Sequence, residues 1–214
     1  MTFIVVLIGW VFSLCLHEFA HAFVAYQGGD YTVRDKGYLT FNPLKYTHPV
    51  YSLLLPLLFL VMGGIGLPGG AVYIERWRLR GPRWETAVSL AGPAMNGLVA
   101  LLLGLLLRFT SLGQTAFGPG LAFLALLQVS ALVLNLIPVP PFDGFGAIEP
   151  HLPRDWRIRI AGVGGMLPWV VFLVLWYVPP VSRGFWGLVE LISRLAGIPL
   201  QTAILGLSQF QFWN

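Results

Sequence analysis

Between Arg108 and Asp143 the chain runs for 34 residues without a charged side chain, and residues 50–74 are uncharged as well. About 20 consecutive apolar residues are enough to cross the hydrocarbon core of a bilayer. Only 10% of the 214 residues are charged and 57% are AVILMFWYC, whereas roughly one-quarter of a soluble domain is charged. A domain of this size cannot hide so much apolar surface from water, so the sequence predicts a multi-pass protein whose solvent is the lipid bilayer. That excludes a soluble enzyme, a DNA-binding module and a disordered chain. The net charge of +4 comes without a basic helix or repeat; it points to no nucleic-acid partner and bears instead on membrane orientation. The single cysteine, Cys15, excludes an intrachain disulfide and a Cys-rich zinc finger.

The first apolar run, about 3–26, has no basic n-region and leads directly into His17 and Glu18, so it reads as a retained transmembrane helix rather than a cleaved signal. Residues 27–48, polar and rich in glycine and aromatics, read as a short β-hairpin or loop, with the hairpin around 31–41. Further helices are expected at about 50–62, 86–107, 121–137 and 160–178. The stretch 184–214 is left between a span and a surface helix, because Glu190 and Arg194 sit at i,i+4. With no internal repeat and no second soluble domain, 1–214 is a single membrane domain. The expected architecture is an all-α polytopic membrane protein of about six membrane-embedded helical segments, with a small β-hairpin or re-entrant β element after the first helix.

His17-Glu18-Phe19-Ala20-His21 carries the chemistry. Two histidines four apart on a helix share a face and can each give a ring nitrogen to one Zn²⁺. The glutamate between them projects near the open coordination position, where it can take a proton from water. In an otherwise apolar helix, such groups cost several kcal/mol unless coordinated or watered; the bland alternative is a pair of interfacial histidines with a snorkelling glutamate. A third ligand is needed, and Asp143, at the end of the 34-residue uncharged stretch, is the candidate. Pro138, Pro140 and Pro141 cannot extend a regular helix, and loosened backbone at depth is tolerated where it lines a wet cavity. The alternative for this segment is an ordinary helix end with an aspartate in the turn.

Together these segments resemble the site-2 proteases, a family of intramembrane zinc metalloproteases. The family's HExxH is matched by His17–His21, and its NxxPxxxLDG motif by Asn135 to Gly144, with Phe142 where leucine is usual. Leu90-Ala-Gly-Pro-Ala-Met-Asn96 is similar to its AGPxxN segment. Leu67-Pro-Gly-Gly-Ala-Val-Tyr73 is similar to a membrane-associated β-strand that members place beside the substrate. The resemblance covers 3–144, the implied catalytic core, and leaves 145–214 as C-terminal membrane helices. It implies one Zn²⁺ per chain held by His17, His21 and Asp143, with Glu18 as general base. It also implies substrate contacts by Asn135 and by Gly69, Gly70, Ala71, Val72 and Tyr73, while Gly92, Pro93 and Asn96 serve close helix packing. No inserted PDZ or CBS module is visible, which suggests a compact form. The implied activity is hydrolysis of a peptide bond within or near a transmembrane segment of another membrane protein.

If Asp143 binds the same ion as His17 and His21, all three lie at similar depth near one face. Four plain crossings forbid this, so 50–74 should enter the membrane and return, the return being Gly/Pro-rich and extended. Arg34, Lys36, Lys45, Arg76, Arg78, Arg80, Arg83, Arg154, Arg157 and Arg159 then share one face, against Arg108 and Arg183 on the other. The positive-inside bias places the protein in the cell membrane with its site nearer the cytoplasmic face. Two other readings remain at this level: a transporter or ion pathway using the same His/Glu/Asp groups as a polar relay, and a catalytically silent relative that binds membrane proteins.

Overall fold

The computed structural model describes residues 1–42, 45 and 72–211. Among these residues, three helices are long and apolar enough to cross a membrane: α1 (Thr2–Gly28), α3 (Pro82–Phe109) and α4 (Gly118–Asn135). At 1.5 Å per residue the first two are about 40 Å long and α4 about 27 Å, close to the ~30 Å hydrocarbon core. Helix α1 stops where Gly29 takes a left-handed conformation (φ 117°) and returns its N–H to the Ala25 and Tyr26 carbonyls. Proline opens α3 at its first turn, and Gly118 and Pro119 begin α4. The remaining helices are α2 (Thr32–Asp35), α5 (Asp143–Ile148), α6 (Arg154–Val163), α7 (Leu167–Tyr177), α8 (Pro179–Leu195) and α9 (Leu200–Phe210).

Helix α4 is the most enclosed of the three spans, packed by α1, α3, α8 and α9. Val6 and Trp10 of α1 meet Phe123 and Leu127 of α4 and Phe210 of α9 in one apolar cluster. On the other side of α1, Ile4, Ile8 and Phe12 recur every fourth residue and are exposed, a lipid-facing stripe. Glycines let backbones approach: a Cβ at Gly206 would collide with the Pro119 carbonyl. A buried Gln128 amide donates to the Ser13 hydroxyl at 2.8 Å, tying α4 to α1.

The expected β element is corrected. Among the described residues there is no β-strand. Where a hairpin was expected around 31–41, the chain forms α2: Lys36 N–H bonds the Thr32 carbonyl at 2.9 Å, and Tyr38 N–H reaches back to Val33 at 2.9 Å. Gly37, at φ 76°, closes that turn. Val33 and Tyr38 are buried against Cys15, Ala22 and Ala25 of α1, so local carboxylate and backbone bonding overrides the aromatic, glycine-rich pattern. Of the expected strand 67–73, residues 67–71 lie outside the described residues, as does the helix expected at 50–62. Val72 and Tyr73 belong to no strand among the described residues, and the Val72 amide is bonded to the Glu18 side chain of α1.

The count of about six membrane segments is also corrected. Among the described residues, three long helices are joined by two bent pairs, α6 with α7 at 71° and α8 with α9 at 119°, giving three to five spans. Gly164 and Gly165 break the helix expected at 160–178, and Gly197 and Pro199 break the C-terminal one. Both ends of the 29–80 connection stand at the same end of α1, since Arg80 N–H bonds the Gly28 carbonyl at 3.0 Å. Helix α1 therefore ends and α3 begins at one end of the bundle; the fold-back expected over 50–74 falls almost wholly outside the described residues, which resume at 72.

Candidate metal centre

His17, Glu18 and His21 lie on the buried face of α1, each nearly inaccessible. Asp143 arrives from the far end of the sequence at the first residue of α5. Proline ends α4, and the chain turns tightly through bonds such as Ile137 N–H to Leu134 O (3.1 Å) and Phe142 N–H to Val139 O (3.0 Å). Phe142 is buried against Leu134 and the C-terminal helices, so its side chain serves packing. Gly144 lies directly on the Leu136 and Ile137 carbonyls, where a Cβ would not fit.

The three expected ligands meet. His17 Nε2 is 3.3 Å from one Asp143 oxygen and His21 Nε2 is 3.5 Å from the other, with the two Nε2 atoms 3.0 Å apart. Tetrahedral zinc with bonds of about 2.0–2.1 Å separates its ligands by roughly 3.3 Å. The far ring nitrogens settle which atoms can ligate. His21 Nδ1 is 2.6 Å from the Val88 carbonyl and His17 Nδ1 is 3.2 Å from Asn96 Oδ1. The Val88 carbonyl can only accept, and Asn96 faces His17 through its Oδ1, an arrangement that suits a proton on each Nδ1 and leaves each Nε2 free to ligate. Asp143 Oδ2 is buried without a hydrogen-bond donor. Lone pairs facing lone pairs repel unless a cation lies between them, so the donor set fits a divalent ion such as Zn²⁺.

Helix α3 makes room for this cluster. A Cβ at Gly92 would press into both Nε2 atoms, so Gly92 permits the approach of α3 to the imidazoles rather than general packing alone. Asn96 was expected to serve packing; it orients His17 instead. The AGPxxN spacing, one helical turn between Gly92 and Asn96, was the available signal.

A cavity of about 480 Å³ opens on the cluster, lined by His17, Glu18, His21, Asn135 and Asp143 together with Val72 and Tyr73. The Val72 amide donates to Glu18 Oε2 at 3.1 Å. Asn135, the last residue of α4, is buried at the cavity wall. Gly69, Gly70 and Ala71 lie outside the described residues. Arg76 and Ser89 also line the cavity and continue into a second one of about 360 Å³ beyond Asp143; no motif marked either residue. Arg76 is paired with Glu149 at 2.7 Å.

A bundle of apolar spans enclosing a His/His/Asp cluster beside a glutamate defines a membrane-embedded protein of the HExxH metal-site class. No family model matches the chain, and no solved structure matches it. Among curated proteins it is similar to "Putative zinc metalloprotease Rip2" of Mycolicibacterium smegmatis, at 46% identity over 99% of this chain and 82% of the relative. The Mycobacterium tuberculosis (strain H37Rv) protein of the same name is 44% identical over the same shares. "Putative zinc metalloprotease YwhC" of Bacillus subtilis is 32% identical over 84% of this chain and 83% of its own length. The chain belongs to this family of site-2-protease-like metalloproteases.

Proposed function

We propose that the protein is a zinc-dependent intramembrane endopeptidase that hydrolyses a peptide bond within or near a transmembrane segment of another membrane protein. The observation that carries this reading is the convergence of His17, His21 and Asp143 beside Glu18, at a cavity inside an apolar helical bundle. His17 and His21 through Nε2, and Asp143 through its carboxylate, would hold the ion. The chemistry a bound zinc supplies there is Lewis acidity toward water and the scissile carbonyl. Glu18 takes the proton of the attacking water and returns it to the departing amine. Its Oε2 is held by the Val72 amide, which keeps the carboxylate aimed across the cavity. Asn135 donates its amide to the substrate carbonyl as negative charge develops there. The apolar walls exclude bulk water, while the polar floor admits the water consumed.

The basic residues support an orientation in the cell membrane with this cavity nearer the cytoplasm. Arg34, Lys36, Arg76, Arg78 and Arg80 belong to the connection at the end of α1 that bears the cluster, and Arg108 to the far end of α3.

The test is zinc content and cleavage of candidate membrane segments by wild type and Glu18→Gln in detergent. The expected outcome is one zinc in both proteins and cleavage by the wild type alone. Ion flux in place of cleavage would instead favour a polar relay, and would sink the proteolytic reading.

A further inference from the structure

Asp30 is a fully buried carboxylate outside the metal cluster. It follows Gly29 at the end of α1, and both its oxygens are used. Oδ1 accepts from the Thr32 amide (3.1 Å) and hydroxyl (2.6 Å); Oδ2 accepts from the Glu75 amide at 2.7 Å. A buried charge is tolerated only when its hydrogen bonds are complete, and here one of those bonds crosses to a distant part of the chain. Lys36 reinforces it, reaching the Glu75 carboxylate (2.9 Å), the Tyr73 carbonyl (3.3 Å) and the Thr32 hydroxyl (3.0 Å). The Arg78 guanidinium, with the Lys36 ammonium, holds the Glu75 carboxyl below the usual carboxylate range.

The tethered stretch is short. Three residues before Glu75, the Val72 amide bonds Glu18, and Val72, Tyr73 and Ile74 form part of the cavity wall. Even a fully extended run from 72 to 75 would cover only about 10 Å, so fixing its Glu75 end restricts where the Val72 amide can stand. One carboxylate of the α1 connection thus anchors the segment, and the segment anchors the carboxylate that faces the metal cluster.

We propose that Asp30 is a positioning residue for hydrolysis: by clamping the Glu75 amide it holds the Val72–Glu75 segment so that the Val72 amide keeps Glu18 in its working orientation. This rests on Glu18 acting as the base. The role is distinct from metal binding, since Asp30 touches none of the three ligands.

Asp30→Asn keeps one acceptor for Thr32 but sets an amide NH₂ against the Glu75 N–H. With zinc content unchanged, kcat is expected to fall about 10- to 100-fold, the range for losing a hydrogen bond to a charged group, while KM moves less than about threefold. In zinc-free protein, hydrogen exchange at the 72–75 amides should quicken. Val72→Pro deletes the donor to Glu18 directly, and in that background Asp30→Asn should add little, because both act through one contact. Thr32→Val, which removes only the hydroxyl donor, gives a milder form of the same result should Asp30→Asn fail to fold. Unchanged kcat in Asp30→Asn, multiplicative losses in the double variant, or unaltered exchange at 72–75 would each overturn the proposal. A wild type that binds zinc yet cleaves no membrane segment overturns the protease reading instead, a result distinct from an active Asp30→Asn.

Discussion

Gly92→Ala tests the centre with a single methyl group. A Cβ at Gly92 would stand 2.5 Å from His17 Nε2 and 2.6 Å from its Cε1, where ordinary contact begins at 3.4 Å. The shortfall to Nε2 is 3.4 − 2.5 = 0.9 Å, and the approach to His21 Nε2 is closer still. Metal–ligand distances tolerate about ±0.2 Å, so the imidazoles cannot absorb the overlap and still ligate. If α3 withdrew instead by the same amount, the Val88 carbonyl would move from 2.6 Å to about 3.5 Å from His21 Nδ1, beyond a useful hydrogen bond. Either relief disorganises the donor set. Losing an orienting contact alone weakens a metal site by about 10–100-fold; with the ligands themselves displaced, zinc affinity should fall at least about 100-fold, roughly 2.7 kcal/mol. Competition against a chromogenic chelator in detergent measures this. Gly97→Ala on the same helix is the control, since its Cβ would meet Leu132 at 3.5 Å, an ordinary contact. Zinc affinity in Gly92→Ala within threefold of wild type would refute the geometry of the centre.

Two further outcomes are expected. Asn96→Leu removes the acceptor that fixes His17, so zinc should bind about 10–100-fold more weakly, measured by the same competition, with zinc-saturated protein recovering much of its activity. Asn135→Ala should leave zinc content intact and lower kcat by about 10²–10³, the usual cost of a lost oxyanion donor; a change confined to KM would assign it to ground-state binding instead.

The parts of this fold that could be read from sequence are those where chain chemistry acts alone. Helices α1, α3 and α4 lie within a few residues of their expected bounds, because long uncharged runs and glycine or proline punctuation suffice in lipid. His17, His21 and Asp143 were legible because ionisable groups are so few at that depth. The segment 31–41 misled because aromatic and glycine-rich composition suits a hairpin, whereas the deciding contacts are Asp30 with Thr32 and Val33 with α1. Those depend on what α1 presents, which no local pattern states. The C-terminal breaks misled for another reason. Lipid-facing and core-facing residues are both apolar, so periodicity cannot tell a straight span from two helices bent at Gly164–Gly165 or Gly197. Asp30 went unnoticed because a lone aspartate after a glycine looks like any helix stop, and its distant partner, the Glu75 amide, leaves no mark in side-chain composition.

The two imidazoles are steered by different kinds of atom. His21 leans on the carbonyl of Val88, which is main chain, so whatever residue occupies position 88 still offers it. His17 leans on Asn96, a side chain that one nucleotide change can erase. Genetic drift can therefore loosen the first histidine while leaving the second untouched. A lineage that had lost cleavage but kept its architecture would be expected to bear its earliest scars at position 96 rather than at 88.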